Sequence, residues 1–198
     1  MRWDRFFDDL EDQLASEWEA ERAALDTEAE RLRLARVSLR ERLAMLSHPD
    51  ASVGSFELAD GTVHAARVSA VGADWVALVP AEGRTRALLV PLAAIASIGV
   101  AHSELLRSAR PAPPAPVIAE RMTLGFVLRD LVRRRSAVAL HLVGGRSFTG
   151  TIDRAGADHL DLALHDAGAP RRAESVTGHR VVPYAGIAWV SLDGAASF

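Results

Sequence analysis

The feature of this 198-residue chain that most limits its fold is an internal repeat at an offset of 84 residues. Both copies of a repeat are expected to fold alike, so the repeat constrains the architecture before any strand is assigned. The Gly-Ala-Asp triplet at 72–74 recurs at 156–158, and residues 90–98 match 182–190 at an offset of 92. The ungapped matches pair Phe56, Leu58, Gly61, Val68, Gly72, Ala73, Asp74, Val76 and Leu78 with Leu140, Leu142, Gly145, Ile152, Gly156, Ala157, Asp158, Leu160 and Leu162.

Each copy of the repeat predicts five short strands separated by turns. In the first copy they are expected at 53–59, 62–70, 75–79, 85–90 and 95–100. Pro91 and Pro183 end the fourth strand of each copy, because proline cannot donate to a strand ladder. We therefore predict two small closed barrels, and Gly150 is expected to allow the strong bend that such a barrel requires.

Residues 138–162 follow the pattern Val138-x-Leu140-x-x-x-Gly144-Gly145-Arg146-x-x-x-Gly150-x-Ile152, then Asp158-x-Leu160-Asp161-Leu162. This pattern resembles the first motif of the Sm-like family, which includes the bacterial RNA chaperone Hfq, and 181–190 resembles its second. The resemblance implies five-stranded barrels of the Sm-like, SH3-like type, with a short helix before the second one at 123–135. It does not extend to base recognition, because the family's RNA-contacting Asn is replaced by Asp161 and Ala77. Residues 1–10 also resemble the opening of a group of actinobacterial proteins.

Residues 1–47 predict an acidic helical arm. No proline or glycine occurs between Trp3 and Leu46, and the apolar side chains recur on one helical stripe. Two forms fit this pattern. The arm is either one long helix or a helical hairpin that breaks at Thr27, because Thr27 and Glu30 have the spacing of a capping box.

The predicted fold class is therefore α+β, with a long N-terminal helix or helical hairpin followed by two small five-stranded barrels. The expected domains are the arm at 1–47, the first barrel at 51–105, a Pro/Ala linker at 106–119, and the short helix with the second barrel at 120–194.

Composition narrows the function classes. The absence of cysteine excludes disulfides, thiolate nucleophiles and thiolate metal sites. No nucleophile elbow, phosphate loop or dinucleotide fingerprint occurs, so we predict no enzymatic activity, no catalytic residues and no cofactor. His159, Asp161 and His165 lack a further ligand at metal-binding spacing, so no metal site is expected. No apolar run approaches the roughly 20 residues that cross a bilayer. We expect a cytoplasmic protein without a membrane partner or a small-molecule substrate.

Charge is unevenly distributed along the chain. Residues 1–30 carry a net charge of −8 and residues 121–190 a net charge of +4. Any polyanion that binds is therefore expected at the second copy, although few aromatic residues accompany its arginines. The alternative is that both charged stretches are simply solvated faces. The candidate nucleic-acid-binding residues are Arg133, Arg134, Arg135, Arg146, Arg154, Arg171, Arg172 and Arg180.

Three aromatic residues, Trp75, Tyr184 and Trp189, are the candidate protein-binding residues. If strand alternation holds, Trp75 points away from the core, and Trp189 stands in a fifth strand where Ile or Val is usual. Exposed aromatic side chains on strands are typical of partner-binding surfaces. The alternative is that the helical arm covers them.

Small barrels with open fourth and fifth strands need something to cover those edges. The leading hypothesis is therefore a non-catalytic interaction or scaffold protein that binds protein partners or forms homo-oligomers. The alternative hypothesis is RNA or DNA binding by the arginine-rich second copy.

Overall fold

A computed structural model describes residues 18–19, 22, 27–82, 87–110, 120–166 and 172–192. The chain divides into two compact units, residues 1–37 and 38–198. In the first unit, residues 27–35 are helical and carry exposed i,i+3 ion pairs from Glu28 to Arg31 and from Glu30 to Arg33.

The prediction of one long N-terminal helix is wrong, because the helix that contains residues 27–35 ends there. A separate helix, α1 (Leu39–Leu46), begins in the second unit with Ser38 as its N-cap. The Ser38 hydroxyl accepts a hydrogen bond from the Glu41 amide, and the Glu41 carboxylate accepts one from the Ser38 amide at 2.6 Å. The capping box at 38–41 thus starts a second helix, whereas the hairpin alternative placed the start of the second helix at Thr27. Residues 1–17, 20–21 and 23–26 of the predicted arm lie outside the described residues.

The second unit is built on one ten-stranded antiparallel sheet with the strand order β5-β1-β2-β3-β4-β10-β6-β7-β8-β9. Among the described residues, helix α2 follows β5 and helix α3 precedes β6, and residues 120–121 are also helical. The bounds are β1 Gly54–Leu58, β2 Val63–Val71, β3 Trp75–Pro80, β4 Leu88–Pro91, β5 Ile95–Gly99, α2 His102–Ser108, α3 Leu124–Arg134, β6 Ala137–Leu142, β7 Ser147–Ala155, β8 His159–Leu164, β9 Gly178–Pro183 and β10 Ile187–Leu192.

The prediction of two separate five-stranded barrels is also wrong. Each half supplies five neighbouring strands in the same order, but β4 pairs with β10, so the halves merge into one open sheet. Within the described residues, β5 pairs only with β1 and β9 only with β8. The expected domains 51–105 and 120–194 both contribute strands to this sheet, while 111–119 of the linker lie outside the described residues. Alternation identifies strands, but it does not say which free edge each strand will meet.

The sequence repeat reappears in the backbone hydrogen bonds. The Gly72 amide donates to the Trp75 carbonyl at 2.9 Å, and the Gly156 amide donates to the His159 carbonyl at 2.8 Å. Other equivalent features are the bonds from Leu92 to Asp74 and from Tyr184 to Asp158, and the irregular pairing steps at Val68/Ala70 and Ile152/Arg154. Positions 84 residues apart in the first three strands, and 92 apart in the last two, are therefore structurally equivalent.

Gly150 has a packing role. A side chain at this position would collide with the carbonyl oxygen of Ala163 on β8, so only glycine fits the close crossing of β7 and β8. Glycine is thus required here by a close approach between neighbouring strands, and the bend expected at this position stays a prediction.

Strand β3 is buried on both faces, which ties the two halves together. Val76 and Leu78 face the core of the first half, whereas Trp75 and Ala77 face a cluster formed mainly by the second half. The cluster that Trp75 and Ala77 face also contains α3 and β10 residues, namely Leu124, Val127, Leu128, Leu131, Val190 and Leu192. A shared core of this kind favours a single cooperative unfolding transition.

We predict that Trp75→Ala will lower the unfolding free energy of the whole sheet by about 3–5 kcal/mol, the usual cost of removing a buried tryptophan. Trp75 is only 1% exposed and packs against α3. Urea unfolding followed by both circular dichroism and fluorescence measures this loss.

The matched control is Leu106→Ala, since Leu106 is 59% exposed and its truncation should change stability by about 0.5 kcal/mol or less. Two separate transitions in the wild-type chain would contradict the shared core.

Candidate interaction surface

The two halves meet where β4 and β10 pair in antiparallel register. Leu89 lies opposite Val190 and Leu88 opposite Ser191, and the Leu192 amide donates to the Ala87 carbonyl at 3.1 Å. This pairing, which we call the internal junction, satisfies backbone groups that would otherwise face solvent on both strands.

On one face of the internal junction, the turn between β2 and β3 holds the start of α3. The Trp75 indole donates to the Met122 carbonyl at 2.8 Å, and the Leu124 amide donates to the Asp74 carboxylate at 2.6 Å. The Thr123 hydroxyl caps the same helix by accepting from the Phe126 amide. The helix that the sequence assigned to 123–135 therefore also fastens the second half to the first.

On the other face, Trp189 of β10 contacts three residues, two of them from the first half. Its indole donates to the Asp60 carboxylate at 2.8 Å. Its ring stacks on His141 with centroids 3.5 Å apart and meets the His64 ring edge-on at 4.9 Å. Trp189 is therefore a contact between the halves, and we call this group the tryptophan latch.

Burial perturbs the ionisable groups of the tryptophan latch. It lowers the pKa of His64 and His141 below the ordinary value of 6.5, although the nearby Asp60 carboxylate acts in the opposite direction. Burial alone would raise the pKa of Asp60, but hydrogen bonds from Thr62 and Trp189 outweigh it and hold that pKa below 3.8. Within the described residues, the buried Nε2 of His64 has no hydrogen-bond partner.

None of the three predicted protein-binding aromatic residues is freely exposed. Trp75 points away from the core of its own half, as alternation predicts, but α3 and β10 cover it. Trp189 is 9% exposed inside the latch. Tyr184 is half-buried, and its hydroxyl donates to the Gly156 carbonyl at 2.9 Å. The merging of the halves buries Trp75 and Trp189, whereas Tyr184 is covered within the second half. A role of these residues in partner binding stays a prediction.

The predicted arginines fall into separate groups. Arg133 and Arg134 both pair with Asp130, at 3.0 and 2.6 Å, and Arg135 ends α3 in a left-handed conformation. Arg154 and Arg133 line an open cleft of about 690 Å³ together with Arg129, Asp153 and Asp161. Mixed charge in this cleft weakens its attraction for a polyanion.

Arg146 and Arg180 form another group, in which both guanidinium carbons lie over the Phe148 ring, 5.3 and 5.6 Å from its centroid. Phe148 precedes Arg154 by six residues on β7, which is roughly 20 Å along a strand. Arg172 is exposed, and Arg171 lies outside the described residues. Among the described residues, the structure therefore places Arg133 and Arg154 at the cleft and Arg146 and Arg180 at Phe148.

The free edge strands β5 and β9 carry apolar side chains, half-buried at Ile95 and Ile98 of β5 and exposed on β9. Val181 on β9 is 70% exposed. Beside β5, a groove of about 230 Å³ lies between α1 and α2 and is lined by Leu39, Leu46, Ile98, Val100 and Leu105, among others. The sequence reasoning missed this groove and the latch residues Asp60, His64 and His141. In the alignment of the two copies, His64 is matched by Phe148, and Trp189 is matched by Ser97. These chemically different pairs are the sequence signal that could have identified the latch.

A scan against protein-family models, and searches of curated proteins and of solved structures, found no match to this chain. The similarity of the sequence to the Sm-like family therefore stays a prediction. Within the described part of the chain, no helix is long and apolar enough to cross a membrane, and no group of three or more His, Asp or Glu residues is placed to hold a metal ion.

We predict that the stability of the sheet falls as the pH drops below about 6.5, the ordinary pKa of histidine. Because burial lowers the pKa of His64 and His141, the unfolded chain takes up protons first, so their contribution is full above this pH and is lost below it. Urea midpoints measured between about pH 7.5 and 5.5 report the slope. The double variant His64→Gln/His141→Gln should show a shallower slope.

The control is His102→Gln, because His102 is exposed at the start of α2. An unchanged slope in the double variant would rule out the latch as the source of the pH dependence.

Proposed function

We propose that this chain is a non-catalytic interaction and scaffold protein that self-associates head to tail through its two free edge strands. The observation that carries the proposal is the internal junction, because it already pairs the structural equivalents of those edges. In the second half β9 is the equivalent of β4, and in the first half β5 is the equivalent of β10. Pairing β9 of one copy with β5 of the next would repeat the internal junction between chains.

The register of this pairing follows from the repeat. In the internal junction Leu89 lies opposite Val190 and Leu88 opposite Ser191. Their equivalents place Val181 of one copy opposite Ile98 of the next, and Arg180 opposite Gly99. This is a specific register, and a shift by one residue would turn the apolar side chains to the wrong face.

Side-chain shape supports the same arrangement. Leu89 is 0% exposed because it packs in the cluster that contains α3, whereas its equivalent Val181 is 70% exposed. Helix α1 contacts β2 as α3 contacts β7, so the groove beside α1 is the counterpart of the place that Leu89 fills. Docking of a second copy would bury Val181 in that groove, which removes apolar surface from water on both copies.

The edges that pair in this scheme are different surfaces, so the contact is heterologous. Such a contact leaves one free edge at each end of a dimer and continues until the assembly closes into a ring or grows as a filament. A scaffold of this kind needs no cofactor or catalytic residue. A cytoplasmic location, as expected from the sequence, is part of the proposal.

RNA or DNA binding by the second half, the alternative function, has less support. Asp130 pairs with two of the predicted arginines, and a third lines a cleft that also contains carboxylates. Nucleic-acid binders without sequence preference instead combine an uninterrupted basic groove with stacking aromatic residues.

The test uses engineered cysteines, for which this cysteine-free chain is suited. We expect Ile98→Cys and Val181→Cys, made in separate chains and mixed under mild oxidation, to give an intermolecular disulfide. Residues opposite each other in an antiparallel pair have Cα atoms about 4.5–5.5 Å apart, within the range for a disulfide. Non-reducing electrophoresis and sedimentation velocity measure the product and the assembly size.

The matched control mixes Ala96→Cys with Val181→Cys. Residue 96 lies two positions from Ile98 on β5, about 7 Å along the strand, so its cysteine should crosslink several-fold less. Equal crosslinking by both pairs, or a strictly monomeric wild-type chain at high concentration, would contradict the proposal.

A further inference from the structure

We infer that a charged clasp joins neighbouring copies, with Glu57 of one copy seated between Arg146 and Arg180 of the next. This inference rests on the proposed self-association. It follows from comparing the chemistry of the internal junction with that of the equivalent positions on the two free edges.

The tryptophan latch shows which positions meet across a junction of this type. From the second half it uses Trp189 and its cross-strand neighbour His141, and from the first half His64 and Asp60. The latch is aromatic on both sides, and its only charged member, Asp60, bonds the indole.

The equivalent positions on the free edges carry different chemistry. Ser97 on β5 stands in place of Trp189, and its cross-strand neighbour Glu57 stands in place of His141. In the second half, Phe148 of β7 stands in place of His64 of β2. Pairing β9 with β5 would therefore bring Ser97 and Glu57 of one copy against Phe148 of the next.

Both sides of the contact are already positioned for it. The Ser97 hydroxyl donates to the exposed Glu57 carboxylate at 2.7 Å, which fixes the acid beside β5. The guanidinium groups of Arg146 and Arg180 lie over Phe148 at 5.3 and 5.6 Å from the ring centroid. Neither arginine pairs with a carboxylate within the described residues. No cation pairs with Glu57 within the described part of the chain either, so two arginines and an acid that lack charged partners would meet.

The clasp also explains how the internal junction and the junction between copies stay distinct. Thr62 and Leu88, the internal equivalents of Arg146 and Arg180, carry no charge. If the β5 edge of one copy meets the β9 edge of another, Glu57 faces Arg146 and Arg180, and the opposite charges attract. If it met a second β5 edge instead, two Glu57 carboxylates would repel each other. The charge arrangement therefore selects head-to-tail pairing.

Charge reversal tests the clasp in the full-length chain. We expect Glu57→Arg to weaken self-association at least tenfold, and Arg146→Glu/Arg180→Glu to weaken it as much, because like charges then face each other. The triple variant that carries all three changes should recover to within about threefold of wild type, since the pair is restored with opposite polarity. Sedimentation equilibrium at low and high salt measures the association constant, and only the wild type and the triple variant should lose affinity with added salt.

The matched control is Asp50→Arg, which makes the same charge change at an exposed site in the turn after α1 and should leave association unchanged. Circular dichroism of every variant checks that it is folded. Failure of the triple variant to recover, with each parent weakened, would overturn the clasp.

Other outcomes distinguish an error in the clasp from an error in the proposed head-to-tail association. If the Ile98–Val181 disulfide forms but Glu57→Arg does not weaken association, the clasp is wrong and head-to-tail pairing stands. If no association is detected, both are wrong. If Arg146→Glu/Arg180→Glu abolishes retention of a single-stranded RNA oligonucleotide at low salt and leaves association unchanged, the arginines serve a polyanion and the clasp is wrong.

Discussion

The need to satisfy the outer backbone groups of an edge strand underlies the architecture of this protein. Five short strands are too few to give a robust independent core, and β4 and β10 would each leave a row of unpaired donors and acceptors. Pairing them removes both rows and brings Trp75, Leu89 and α3 into one apolar cluster. The internal junction therefore combines sheet hydrogen bonds with burial, and each of the two core clusters contains residues from both halves.

Divergence between the two copies of the repeat explains why the internal junction is covered while the equivalent free edges are exposed. The turn at 72–75 grips the start of α3, while the equivalent turn at 156–159 leaves Asp158 exposed and bonded to its neighbour His159. Val181 is likewise exposed where Leu89 is buried. An open surface whose twin is an intramolecular contact is suited to meet the same chain again, and this is why self-association is favoured over capture of an unrelated ligand.

The side chains at the internal junction are mainly aromatic, whereas those at the equivalent free edges are charged. The internal junction is aromatic, and it contains two half-buried histidines whose pKa values are lowered by burial. The free edges instead have Glu57, Arg146 and Arg180 on or beside them, and these charged side chains keep an exposed surface hydrated. Charged edge residues also discourage indiscriminate strand pairing, a recurrent hazard of open sheets.

Local features were within reach of the sequence. The five strands of the first repeat, the helix before β6 and the equivalence of the two copies all follow from alternation, turn glycines and the recurring Gly-Ala-Asp triplet, because these depend on short stretches of chain. The merging of the halves, the burial of Trp75 and Trp189, and the dispersal of the arginines were decided only by the tertiary structure. Those outcomes depend on which strand edges and faces meet at a separation of about 100 residues, as Leu89 meets Val190, and no periodicity within one strand records its distant partner.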